Sequence, residues 1–334
     1  MQAGVRLPAK VNRIMEVYEV SLREIESRSL PRTNRVICIG TFDGVHIGHQ
    51  RLIREAKLVA ESSGMSLCIL TFRNHPMKVL SPSNAPKLLT TANEKLHLLS
   101  QLGVDECLLV EFDSELAIMR AIEFCRLLHE ALCAKVLVIG ENSSIGYRRE
   151  GTAIKLRELS EAGELRLSVV VVEGVCFGRG IISSSWIRSE LMKGHVRLAQ
   201  MMLGRPYSLT GVVVPGMGLG RQLGFPTINL RLDEDKLLPR FGVYAGAAEV
   251  ASCASQHRVV ANIGVRPTVG DGGISIEAHI MDGEIDVKHG CEVTLRLLHF
   301  LRPERRFGSL QELATQVALD VERAGKLLNA RWSR

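Results

Sequence analysis

The chain has 334 residues, 46% of them hydrophobic, and a formal net charge of +6. That length and apolar content predict a well-buried globular protein of about two domains. Basic and acidic side chains are interleaved rather than massed in blocks, which argues against a nucleic-acid partner and leaves a mild preference for phosphorylated small molecules.

Eight cysteines form no C-x-x-C pair, and several sit inside apolar runs such as "VICIG" and "SLCIL". This is the usage of buried thiols in a reducing compartment, so a cytoplasmic location is expected. No run approaches the ~18 apolar residues of a membrane helix, so no membrane partner is expected. Residues 1–14 read as an extension ahead of a folded body that begins near "MEVYEV" at Met15. A short targeting segment is the other reading of that stretch.

From Arg35 to about Gly180, short apolar runs alternate with amphipathic stretches, which predicts a parallel sheet covered by helices. The strand candidates are "RVICIG", "MSLCILTF", "DECLLVEF", "KVLVIG" and "LRLSVVVVEG". Between the first two, Leu52, Ile53, Ala56, Val59 and Ala60 share one helical face, and Gly64 is placed to end that helix. Thr91 and Glu94 have capping-box spacing. A connecting helix is expected in "SELMKGHVRLAQMMLGRPY". Beyond it, strands follow one another without helices between them, which predicts an antiparallel barrel or sandwich. A terminal helix opens at Ser309 and Glu312, again at capping-box spacing, with Leu313, Val317, Val321 and Ala324 on one face.

The segment "GTFDGVHIGHQ" stands where a strand hands over to a helix. Backbone N–H groups at a helix start attract anions, Gly40, Gly44 and Gly48 permit close approach, and His46 and His49 can donate to phosphate oxygens. Phosphoryl and nucleotidyl transfer need chiefly positioning and charge stabilisation, which two imidazoles and an arginine can supply. On the residues alone a zinc site or structural turn histidines also stay open, although no second cluster stands at ligand spacing.

The H-x-G-H element resembles the signature of the nucleotidylyltransferase superfamily, and "GTFDGVHIGH" is similar to its FMN adenylyltransferase branch. "TFRNHP", "GENSSIGYRREG" and "ISSSWIR" follow in matching order. The resemblance implies a Rossmann-like α/β domain in which His46 and His49 stabilise the ATP phosphates. It places Gly40, Phe42, Asp43, Gly44, Asn142, Ser183, Ser184 and Ser185 at the nucleotide, Arg188 on phosphate, and Phe72 and His75 at the flavin. Read without it, Arg188 is a solvated arginine at a helix start. Two departures bear on the ring pocket. Ser143, Ser144, Ile145 and Gly146 replace an "FRFG"-like run, and Trp186 replaces a second arginine. Aromatic faces stack on flavin and adenine, so Trp186 is expected either to supply a replacement face for the flavin or to fill the core.

In the second half, "VPGMGLGRQLGFPTINL" carries Gly216, Gly218 and Gly220, able to wrap phosphate with main-chain N–H groups or to form a hairpin tip. No G-K-[ST] and no dinucleotide-type helix follow. "LGFPTIN" resembles the G-F-P-T-A-N motif of riboflavin kinases, and "LLPRFGVYAG", "VANIGVRPTVG", "IEAH" and "FLRPERRFGSLQEL" extend the likeness over most of the interval from Gly204 to about Arg323. It implies an antiparallel β-barrel kinase domain with a C-terminal helix. In it Thr227 and Asn229 help hold Mg²⁺ with ATP, Glu277 is the general base toward the ribityl hydroxyl, and Arg266 contacts flavin. Glu277 by itself reads as a solvent-facing strand residue. The turn "EIDVKHG" is one residue longer than its counterpart in such kinases.

Together the two motif sets resemble the bacterial bifunctional riboflavin kinases and FMN adenylyltransferases. The expected boundaries are an extension at 1–14, an adenylyltransferase domain at 15–188, a connecting helix at 189–203 and a kinase domain at 204–330. The implied substrates are riboflavin, FMN and ATP, the products FMN and FAD, and the assembly a monomer or weak homo-oligomer. A kinase with a weak or lost adenylyltransferase is one alternative. A non-catalytic flavin or nucleotide sensor is another, which the retention of both residue sets argues against.

Overall fold

In a computed structural model, the chain is described at residues 14–27, 31–178, 180–216, 218–251, 256–265, 273–283 and 287–332. The 1–13 extension, Arg266 and part of the "EIDVKHG" turn lie outside the described residues. The chain divides into two compact bodies, Met1–Pro86 with Ala92–Val175, and Lys87–Thr91 with Cys176–Arg334.

The first body is built from β1 (Glu16–Val20), β2 (Arg35–Ile39), α1 (Ile47–Ser63), β3 (Ser66–Phe72), α2 (Ala92–Gln101), β4 (Glu106–Val110), α3 (Ala121–Leu132), β5 (Ala134–Gly140), α4 (Ala153–Glu161) and β6 (Ser168–Val172). Its strands form one parallel sheet in the order β1-β4-β3-β2-β5-β6. Because strand side chains alternate, one set (Ile37, Ile39, Cys68, Leu70, Leu137) packs with α3 and α4. The other (Val36, Cys38, Leu67, Ile69, Val138) packs with α1 and Leu99 of α2. The chain winds outward from β2 through β3 and β4, then resumes on the other side with β5. The strand order therefore reverses between β2 and β5, and in such sheets ligands bind outside the carboxyl ends at that reversal. The α1 helix ends on Gly64 in the left-handed conformation (φ 65°), as the pattern predicts.

The second body opens with α5 (Ser184–Met192) and α6 (Val196–Leu203). The sequence predicts one connecting helix here; instead Gly194, at φ 85°, turns the chain, and Glu190 braces the turn by accepting from Lys193 Nζ at 2.8 Å and pairing with His195 Nδ1 at 2.7 Å. There follow β7 (Tyr207–Val214), β8 (Thr227–Leu232), β9 (Gly242–Val250), β10 (Gln256–Val265), β11 (Ile274–Ile280), β12 (Glu292–Pro303) and α7 (Leu310–Trp332). Among the described residues these six antiparallel strands close into a barrel in the order β7-β8-β11-β10-β9-β12. Ala324 and Leu328 of α7 pack against Val243, Ala245, Val260 and Leu298. The Arg302 guanidinium holds Asp320 of α7 through Nε at 2.9 Å and Nη2 at 2.8 Å. Ser309 Oγ caps α7 by accepting from Glu312 N, while the Glu312 carboxylate reaches Gly308 N rather than Ser309 N. Residues 87–91 join this body through main-chain bonds from Leu88 N to Asp235 O (2.7 Å) and from Leu237 N to Leu88 O (2.8 Å).

Candidate functional site

In the first body the loop from β2 to α1 is tightly wound. Phe42 and Val45 adopt φ of 48° and 38°, a region that costs non-glycine residues energy, and both are fully buried. The Phe42 ring fills the core and meets His49 edge-on at 5.3 Å, so it presents no face to a nucleotide; this corrects its expected place at the ligand to that of a wedge under the loop. His46 is the N-cap of α1, and its Nδ1 accepts from His49 N at 3.3 Å. With Nδ1 engaged as acceptor, the neutral ring carries its proton on Nε2, a donor for an anion. The two imidazoles stack with centroids 3.6 Å apart and planes 18° from parallel. A Cβ on Gly48 would stand 3.1 Å from the His46 ring, which is why the helix start needs glycine there.

The β3 end supplies the second wall. Phe72 packs edge-on against Phe112 at 5.4 Å, and Asn74 exchanges two 2.8 Å hydrogen bonds with the Phe112 backbone, fixing the segment that leads to His75. His75 Nδ1 accepts from Met77 N at 3.1 Å, so the ring caps the next turn. From the β5 end comes Asn142, exposed, with its Nδ2 3.3 Å from Glu141 Oε1, which also accepts from Gly174 N at 2.9 Å. The β2 and β5 loops thus flank the reversal of strand order, and His46, His49 and Asn142 are carried on them. Ser144 pairs with Thr152 and Ile145 with Gly151, and Ile145, half-buried, packs against the core cluster that includes Ala121 and Phe124. That side chain anchors the loop and offers no ring. Tyr147 follows, exposed, with the Arg148 guanidinium 5.1 Å from its centroid.

One group beneath this loop escaped the sequence reading. Lys95, one turn before Leu99 on the buried face of α2, is 6% exposed. Its Nζ donates to Thr41 O (3.2 Å), Thr71 Oγ1 (3.0 Å) and Phe72 O (2.6 Å). Burial lowers its pKa to about 8, opposed by the nearby negative charge of Asp43.

The segment "ISSSWIR" belongs to the second body. Ser183 caps α5, its Oγ accepting from Trp186 N at 3.3 Å, and Ser184 and Ser185 form its first turn. Trp186, half-buried, packs edge-on against Phe177 at 6.2 Å and against Gly180. Arg188 Nε donates to Lys87 O at 2.8 Å.

In the barrel, Thr227 and Asn229 are two residues apart and so point from one face of β8. Asn229 stands opposite Glu277 of β11, and Thr227 opposite His279. On the other side of Glu277, in register, is Asn262 of β10, which the sequence reading missed because strand register is a long-range property. Ser275 Oγ donates to Glu277 Oε1 at 3.1 Å. His279 Nδ1 lies 2.9 Å from Pro226 O, steadying the entry to Thr227. The glycine-rich segment packs directly on these residues. A Cβ on Gly216 would come within 2.1 Å of Asn229 Nδ2, and one on Gly220 within 2.4 Å of Phe225 O. Gly218 (φ 72°) begins a helical turn at Leu219–Gln222, where an open hairpin tip is the simpler expectation. The β8 pair and Glu277 make an all-oxygen donor set, which suits a hard cation.

Comparison with known proteins finds two families in succession along the chain, the first running past Val175 into the second body. The FAD synthetase family matches residues 29–186 and the riboflavin kinase family residues 203–328. A bifunctional riboflavin kinase/FMN adenylyltransferase of Listeria monocytogenes is 35% identical, covering 86% of this chain and 91% of its own. That of Escherichia coli K12 is also 35% identical, covering 87% and 91%. The chain belongs to the bifunctional riboflavin kinase/FMN adenylyltransferase family. A solved Streptococcus pneumoniae structure, named a macrolide-efflux protein, is 29% identical with a TM-score of 0.81, covering 91% of this chain and 97% of its own. Among the described residues, no helix is long and apolar enough to cross a membrane.

Proposed function

We propose that the family's two reactions are divided between the two bodies of this chain. The barrel phosphorylates riboflavin to FMN with ATP, and the parallel-sheet body joins AMP from a second ATP to FMN, releasing pyrophosphate and giving FAD. The observation that carries this reading is the presence of two separate constellations, each inside the span of its own family: His46/His49 on the β2 loop, and Thr227, Asn229 and Glu277 on facing barrel strands.

For the kinase, Glu277 is the base that takes the proton of the ribityl hydroxyl, oriented by Ser275 and flanked by Asn229 and Asn262. Thr227 and Asn229 would hold Mg²⁺ brought with ATP, and Gly216, Gly218 and Gly220 would keep the main chain close to the phosphates. The cation, when bound, neutralises phosphate charge. In the adenylyl transfer the nucleophile is the FMN phosphate, already ionised near neutral pH, so a strong base is not needed. The work left to the protein is to hold donors against charge that develops on the α-phosphate and the leaving pyrophosphate. The Nε2–H of His46, the stacked His49 and the α1 N-terminus do this, with Asn142 on the nucleotide and Phe72 and His75 toward the flavin. Cys107 and Cys125 are buried free thiols, which suits a reducing compartment such as the cytoplasm.

Incubation with riboflavin, ATP and Mg²⁺, followed by separation of the flavins, tests the reading: FMN appears first and FAD after it. Accumulation of FMN alone would instead support a kinase with a lost adenylyltransferase, a reading motivated by Ser143, Ile145 and Trp186. Unchanged riboflavin would overturn both.

A further inference from the structure

We propose that Lys95 is a positioning residue for adenylyl transfer, its buried ammonium tying together the ends of β2 and β3 and holding a fixed positive charge under the His46/His49 loop. This rests on the reading of that loop as the nucleotide site. The geometry accounts for all three protons of an ammonium group. One goes to the Thr41 carbonyl in the loop itself, one to the Thr71 hydroxyl and one to the Phe72 carbonyl. All three acceptors are uncharged, so the cation is held without direct ion pairing by these three. A lysine on an amphipathic helix is normally left in water, because burying its charge opposes folding unless the charge is needed. Here the groups facing it are Asp43 from the β2 loop and Cys107 from β4, and Cys107 is still a thiol well above neutral pH. The Asp43 charge favours the ammonium. The loop it braces includes two buried non-glycine residues in left-handed conformation, Phe42 and Val45, a winding that persists only where neighbours over-determine it.

The consequence is a pH signature that a passive brace would lack. Above pH about 8 the free enzyme's Lys95 loses its proton and with it a donor and the charge. kcat/KM for ATP in FAD formation should therefore fall on the alkaline side near that value. In kcat the fall should lie at higher pH, because bound phosphates favour the ammonium. The test uses the full-length protein with FMN and ATP, and the riboflavin-to-FMN reaction on the same preparation as an internal control. Lys95→Met should lower kcat of FAD formation by about 100-fold, with KM for FMN within about threefold and FMN formation within about twofold. It should also abolish the alkaline fall, and Lys95→Arg should recover part of the lost rate. Thr71→Val, which removes one neutral acceptor and is nearly isosteric, should move the alkaline limb to lower pH with little loss of rate at pH 7. FAD synthesis within threefold of wild type in Lys95→Met would overturn the proposal. So would an alkaline limb that stays in place in Thr71→Val, the arm that decides if Lys95→Met loses both activities through misfolding. His49→Ala separates the two levels of argument: if that variant keeps full FAD synthesis, it is the loop's assignment that fails, whatever Lys95 does.

Discussion

The two proposed sites are built in opposite ways. In the barrel, Thr227, Asn229, Glu277 and Asn262 stand on adjacent strands in fixed register, so backbone ladders hold the donor set and little else is required. In the parallel-sheet body the corresponding groups stand on loops at strand ends, where no ladder reaches. Their positions depend on side-chain devices: the His46 cap, the Asn74 clamp on Phe112 and the Lys95 tether. A strand-borne site is therefore sensitive to what approaches its face, and a loop-borne site to what braces it from beneath.

The sharpest way to break this comparison is a double dissociation. Glu277→Gln should reduce riboflavin phosphorylation by about 10²–10⁴-fold while FAD formation from supplied FMN continues, and steady-state assays of each reaction check it. His46→Ala should do the reverse, lowering FAD formation by about 10²–10³-fold with FMN formation intact. Loss of both reactions in either variant would show that the bodies are not independent. The comparison is sharpened by Gly216→Ala. A methyl group there must displace Asn229, so the kinase rate should fall roughly tenfold with a raised KM for ATP, while FAD formation from FMN stays the same.

Two further expectations concern the braces of the barrel itself. Asp320→Ala leaves the Arg302 guanidinium without its partner beneath α7 and should cost about 3 kcal/mol, read as a lower urea midpoint of the unfolding step that reports kinase activity. Ser309→Ala removes only the α7 cap and should cost about 1 kcal/mol in the same experiment. A reversed order would mean that the helix start, rather than the Arg302 pair, anchors α7.

Much of this was legible locally. The His46–His49 spacing after a buried strand, the alternation that separates a helix-covered sheet from a run of strands, Gly64 as a helix end and Ser309 as a cap are all short-range signals, and each is found in place. The "LGFPTIN" run likewise pointed to Thr227 and Asn229. Other features could not be read this way. The break in the connecting helix at Gly194 depends on Glu190 accepting from both Lys193 and His195 across the turn. The family resemblance placed Phe42 at the nucleotide; only packing shows its ring spent in the core.

By itself the sequence determined most of the order of elements and the two fold classes, because hydrophobic period, capping and turn chemistry act over a few residues, while the motif residues came from the family resemblance. Tertiary structure alone decided which residues face one another: Asn262 beside Glu277, Ile145 against the core, and Lys95 under the β2 loop, 54 positions from the Thr41 carbonyl it holds. The physical reason is that burial and register are set by chain segments distant in sequence. A lysine at position 95 has the same helix propensity whether it meets water or three oxygen acceptors.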